Sequence, residues 1–271
     1  MRRMLAHTLR MTWTRGAAAV GPALIVSLLA AADASAEEDE AAPAPPSSTA
    51  RALEDATTLP LGLTASRTHM RAAVNAIGGY DGAREAGVME VEAAVRIFGP
   101  LSIHGGGVYV SDEDDVRPSL GAMVQLFEQD RSRLGLDVAF GLTYRPEGLT
   151  EPEGEIEAAL AVGRKLGSAS LVASATYGQD GEGNERDGEL RAAGLVQVGR
   201  VMVGADARGR LALTRPSDST EPDYDVVGGP VLVVPIQSFA LTGLVGATVV
   251  GTGDDQTEAG VLGLLGIARI F

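Results

Sequence analysis

The stretch EAGVLGLLGIARIF, residues 258–271, decides how the rest of the chain is read. Ala259, Val261, Leu265 and Ile267 fall on one face of an extended strand, because successive strand side chains point to opposite sides. The apolar residues recur every second position rather than every third or fourth, which excludes an amphipathic helix. The strand ends on an aromatic, Phe271.

The same period of two runs back through the chain to about residue 66. In residues 87–98, Met89, Val91, Ala93, Val95 and Ile97 alternate with Glu90, Glu92 and Arg96. In residues 200–214, Val201, Val203, Ala205, Ala207, Leu211 and Leu213 alternate with Asp206, Arg208 and Arg210. Twelve such segments are predicted, at 67–80, 87–97, 101–111, 118–127, 134–144, 155–163, 169–178, 188–198, 201–214, 224–234, 239–250 and 258–271. Globular strands typically run about 5–6 residues and membrane strands about 9–11, so these lengths favour a membrane barrel over a soluble β-sandwich.

Connections and aromatics point the same way. Short turns, such as Phe98-Gly99-Pro100 and Gly199-Arg200, alternate with longer acidic loops. The five tyrosines, Tyr80, Tyr109, Tyr144, Tyr177 and Tyr224, fall at the long-loop ends of the segments, whereas Phe98, Phe127, Phe239 and Phe271 fall at the short-turn ends. Two aromatic belts at opposite rims suit rings that prefer the membrane interface. Strict alternation puts Phe98 and Phe127 on the lumen phase. Pro230, beside Gly228 and Gly229, predicts a bulge or bend, since proline cannot complete a ladder.

Together, the alternating segments and the terminal Phe271 resemble bacterial outer-membrane β-barrel proteins, in which a C-terminal aromatic closes the barrel and serves as the assembly signal. Arg269 departs from that resemblance, standing where such strands carry an apolar or aromatic residue. The fold implied is all-β: an antiparallel, up-and-down transmembrane barrel of about 12 strands. Outer-membrane lipid and the barrel-assembly machinery are the implied partners.

Three regions are expected. Residues 1–36 read as a signal peptide: Arg2, Arg3, Arg10 and Arg15 precede the apolar run 17–29, and Ala34-Ser35-Ala36 is an A-x-A cleavage site. The run is shorter than the roughly 20 residues of a membrane helix. Residues 37–65 form an acidic, proline-rich linker without the apolar content to build a core. Residues 66–271 are the barrel.

Composition excludes several functions. There are no cysteines among the 271 residues, hence no disulfide scaffold, thiolate metal site or Cys nucleophile. The net charge of −14 argues against nucleic acid as a partner. Neither a G-x-S-x-G elbow nor a Walker lysine is present, so no catalytic residue, cofactor or metal is assigned. The loop Asp180-Gly181-Glu182-Gly183-Asn184 fails the calcium-loop template, with Arg191 where a bidentate Glu belongs.

What remains is the lumen. The strand phases place Arg67, Arg71, Arg96, Arg191, Arg208 and Arg210 inside, with Glu90, Glu92, Asp137, Glu155, Glu157, Glu189 and Asp206. A two-residue turn at Gly199-Arg200 sets Glu189 opposite Arg210 and Arg191 opposite Arg208. Arg67, His69, Arg71 and Arg96 gather at the short-turn mouth. The reading is a narrow pore or structural barrel with an ion-paired lumen. Its acidic outer loops could hold divalent cations. The alternatives are an outer-membrane surface hydrolase, for which a histidine near the outer rim is lacking, and a secreted soluble sandwich.

Overall fold

The computed structural model describes residues 72–111, 115–146, 154–215, 222–252 and 256–271. The signal peptide, the linker, Arg67, His69 and Arg71 lie outside them. Twelve strands follow one another: β1 (Ala72–Asp81), β2 (Ala86–Phe98), β3 (Leu101–Val110), β4 (Asp115–Phe127), β5 (Asp137–Pro146), β6 (Gly154–Leu166), β7 (Ala169–Asp180), β8 (Arg186–Val198), β9 (Val201–Thr214), β10 (Tyr224–Ile236), β11 (Phe239–Thr252) and β12 (Gln256–Ile270). Each pairs antiparallel with its sequence neighbours, and β1 pairs with β12 to close the barrel. A two-sheet sandwich does not form. Closure removes both free sheet edges, which a strand structure needs in lipid.

The seam runs from Ala73 opposite Ile270 to Asp81 opposite Leu262. Phe271 extends it by one rung: its N–H donates to the Ala72 carbonyl at 2.9 Å. The Arg269 departure has a physical reason. Its guanidinium stacks between two rings, 4.4 Å from the Phe271 centroid and 5.3 Å from that of Phe239. An arginine can therefore occupy this outward position within the aromatic rim.

The short turns are tight hairpins. Phe98 pairs with Leu101, Leu166 with Ala169, Val198 with Val201 and Ile236 with Phe239. The first loop residue has positive φ in all four: Gly99, Gly167, Gly199 and Gln237. Such a turn matches the twist of the flanking strands, and glycine adopts it without cost. Gln237, at φ 56°, lacks that freedom.

Two expectations are corrected by register. The β2–β3 ladder shifts between Arg96 and Phe98, and the β4–β5 ladder shifts between Gln125 and Phe127. Each irregularity inserts one residue and flips the phase. Phe98 and Phe127 therefore point outward into the rim, not into the lumen, and are 66% and 48% exposed. At Pro230, by contrast, no bulge forms. The β10–β11 pairing lapses after Gly228 and resumes at Val231 opposite Leu244 in the same register. β5 starts at Asp137 rather than at residue 134, because residues 128–135 form turns in which Ser132 N–H donates to the Glu128 carbonyl and Gly135 N–H to the Ser132 carbonyl.

The outward phase is apolar and accessible along most of its length. Leu190, Val245, Val261 and Leu265 are 68, 64, 68 and 76% exposed. A belt of this kind is stable only against lipid.

The inward phase is not uniformly polar. Ile77, Met202, Val227, Val231, Val233, Leu244, Leu262 and Leu264 are all buried and touch in one cluster. With Leu195 of β8 they belong to β1 and β8–β12, so part of the interior is a packed hydrophobic core. On β10 both phases are apolar, as Val226 and Leu232 face outward while Val227, Val231 and Val233 face inward.

Candidate functional site

The charged residues line the other part of the interior, and register fixes where each stands. Asn75 of β1 is opposite Glu92, and Ile77 opposite Glu90. Thr143 of β5 is opposite Glu157, and Arg145 opposite Glu155. Glu189 is opposite Arg210, Arg191 opposite Arg208, and Ala193 opposite Asp206. Arg210 in turn faces Asp225 of β10. The expected lumen residues Glu90, Glu92, Arg96, Asp137, Glu155, Glu157, Glu189, Arg191, Asp206, Arg208 and Arg210 thus share the inward phase.

The ion pairs differ from those expected across the β8–β9 hairpin. Arg210 Nε donates to Asp187 Oδ2 rather than to the Glu189 facing it. Glu189 instead binds Arg191, two residues along its own strand, and lies 3.8 Å from Arg208 Nε. Arg208 Nη2 donates to Asp225 Oδ2 at 2.7 Å. The pairing is diagonal because like charges, Arg191 and Arg208, stand directly opposite. That arrangement repels, and each guanidinium swings toward a carboxylate one rung away.

Across the barrel, Arg145 Nε lies 2.9 Å from Glu157 Oε2. Glu155 and Asp187 approach each other above Gly178, whose missing side chain leaves the space. His104 Nε2 is 3.0 Å from Thr143 Oγ1, reaching over Gly121. Neither His104 nor any other described histidine stands at the outer rim. Among the described residues no three His, Asp or Glu side chains are grouped to hold a metal ion.

The outer mouth carries a further element. The β1–β2 loop leaves the seam at Gly82, whose N–H donates to the Val261 carbonyl at 3.0 Å. Asp81 Oδ1 accepts from the Ala83 N–H at 3.0 Å and turns the chain inward. Arg84 then donates through Nη1 to Asp81 Oδ2 at 2.9 Å and through Nη2 to Asp225 Oδ2 at 2.7 Å. Both carboxylates are buried, at 2% and 4% exposure. Burial works against the Arg84 charge, but Asp225 and Asp81 outweigh it and hold its pKa above the ordinary arginine value. One guanidinium thereby ties the loop to β10 over the rims of β12 and β11.

Sequence reading missed Asp81, Arg84, Arg145, Asp187 and Asp225 as lumen groups. It placed most of them in loops, where alternation gives no phase. Asp81, Arg145 and Asp187 stand where strands run one to two residues past the apolar pattern, Arg84 is in the β1–β2 loop, and Asp225 lies within the expected segment 224–234.

No protein-family model and no curated protein sequence matches the chain. Solved structures do. The NanC porin superposes with a TM-score of 0.53 at 9% identity, over 72% of this chain and 98% of that one. The KdgM porin superposes at 0.51 and 7% identity, over 73% and 99%. KdgM in complex with disordered oligogalacturonate gives 0.51 at 8%, over 73% and 99%. The fold is that of outer-membrane β-barrel porins.

Proposed function

We propose that this chain is an outer-membrane channel of narrow bore, whose polar path follows the charged side chains of β2, β5, β6 and β8–β10. The observation that carries it is the mixed lining of the interior: an apolar cluster on β1 and β8–β12, and a charged network that includes Asp206, Arg208 and Arg210 of β9 and Asp225 of β10 besides the charged groups of β2, β5, β6 and β8. Water and ions avoid the first and follow the second. Twelve strands lie between the filled eight-stranded barrels and the open 16–18-stranded porins.

The path favours small cations or neutral solutes. Arg84, Arg145, Arg191, Arg208 and Arg210 are each engaged by a carboxylate, so among the described residues these five arginines do not form an open ladder for a polyanion. The chain is acidic, at −14. The KdgM complex holds an oligomer of an acidic sugar; the charge balance here argues against that ligand. Catalysis forms no part of this reading.

Purified protein in a planar bilayer tests it. Discrete steps with a cation-positive reversal potential are expected, with selectivity rising at low salt as the Debye length grows toward ~30 Å. Electrical silence in wild type and in a variant lacking Arg84 would leave a plugged, structural barrel instead.

A further inference from the structure

The lipid-facing phase of β6 reads Ile156, Ala158, Leu160, Val162, Arg164, Leu166. Arg164 is its one charged member. It stands beside Leu171 on β7 and projects outward, exposed. Its side chain has no ion pair or hydrogen bond among the described residues. Unlike Arg269, it is not stacked on a ring.

Next to it the barrel wall is hollow. Leu171 is opposite Gly194, and Ala173 opposite Ala192. These small side chains floor an open groove of ≈490 Å³, walled by Leu136, Val162 and Leu171 and ended by Arg164. Arg164 lies two residues above the end of β6, about 7 Å from the short-turn rim. An arginine stem of that reach lies along apolar wall and delivers its guanidinium to headgroup level.

From this geometry we propose that the groove and Arg164 form a site for one phospholipid of the periplasmic leaflet. An acyl chain fills the hollow over Ala173, Ala192 and Gly194. The phosphodiester accepts two parallel N–H bonds from Arg164. Charge complementarity selects the occupant. The position faces hydrocarbon and has no carboxylate partner among the described residues, so it calls for an anion with an apolar tail. The proposal rests on the membrane placement argued above, but not on conduction.

The test is native mass spectrometry of protein delipidated in detergent and then titrated with phosphatidylglycerol. Wild type is expected to retain one lipid at activation energies that strip the rest. Arg164→Gln and the groove-filling Ala173→Leu are each expected to weaken retention at least tenfold. Arg200→Gln, on the same rim but away from the groove, is expected to retain the lipid. Glycerol phosphate, which has the anion but no tail, is expected not to bind. Equal retention by all variants would mean annular lipid only and overturn the site, as would loss in Arg200→Gln alone. Heat-modifiable migration confirms that each variant is inserted. Failure of wild type itself to insert would instead refute the membrane placement.

Discussion

Arg84 and Asp225 are 141 residues apart in sequence and 2.7 Å apart in the barrel mouth. Two strands, β11 and β12, separate β10 from β1, so the contact crosses the rim instead of following the wall. Asp225 also accepts from Arg208 at 2.7 Å, and the clamp and the lumen network therefore share one carboxylate.

Arg84→Ala should release the β1–β2 loop and enlarge single-channel steps in a planar bilayer. It leaves Asp81 short of a partner in a buried setting, and a loss of about 3 kcal/mol is expected for breaking such a pair. Arg84→Lys keeps the charge but offers no planar fork, and should fall between. Unchanged steps in Arg84→Ala would show that the loop does not limit the bore.

The diagonal pairing predicts an unequal pair of double-mutant cycles. Arg210→Ala with Asp187→Ala should show a coupling of roughly 1–3 kcal/mol in urea unfolding, and Arg210→Ala with Glu189→Ala less. The reverse order would restore the direct cross-strand pair.

The interior core predicts a contrast between two leucines. Leu244 is 2% exposed and Leu265 is 76% exposed. Leu244→Ala should cost about 2–5 kcal/mol by the usual cavity penalty. Leu265→Ala should change the urea midpoint little in detergent, where the site simply gains solvent. Similar losses at both positions would contradict a packed wall inside the barrel.

Gln237 occupies the turn position that glycine fills in the three other two-residue hairpins. Relieving its left-handed backbone should stabilise the barrel by about 1 kcal/mol in Gln237→Gly. Equilibrium unfolding in urea measures the shift, and a decrease in stability would show that the side chain does more than tolerate its φ.

Deleting Phe271 should reduce heat-modifiable, membrane-inserted protein, because it removes a seam rung at 2.9 Å and half of the aromatic pair around Arg269. Phe271→Tyr should retain most insertion. Full insertion of the deletion would separate the terminal aromatic from assembly.

Much of the barrel was legible from alternation. All twelve strands appear, because a period of two ties each residue to one face. Three kinds of information were not. Phe98 and Phe127 turn outward through one-residue register shifts, which composition does not mark. The interior core was hidden because β10 and β11 carry apolar residues on both faces, and such a strand loses its period. The actual ion pairs depend on how long side chains lean, and register alone fixes only which Cα atoms face one another. Arg210 faces Glu189 yet bonds Asp187 for that reason.

The seam between Ala72 and Phe271 has a kinetic meaning. Every other pairing in the barrel joins sequence neighbours through a turn or loop, and can form as soon as two adjacent strands exist. The β1–β12 ladder alone joins the two extremes of the strand order. Bringing such distant segments together carries the largest closure entropy in the molecule, and topologies dominated by such contacts fold slowly. Until that ladder forms, β1 and β12 are both open edges able to pair with another chain. The last rung of β12 is thus the step at which an aggregation-prone sheet becomes a sealed cylinder.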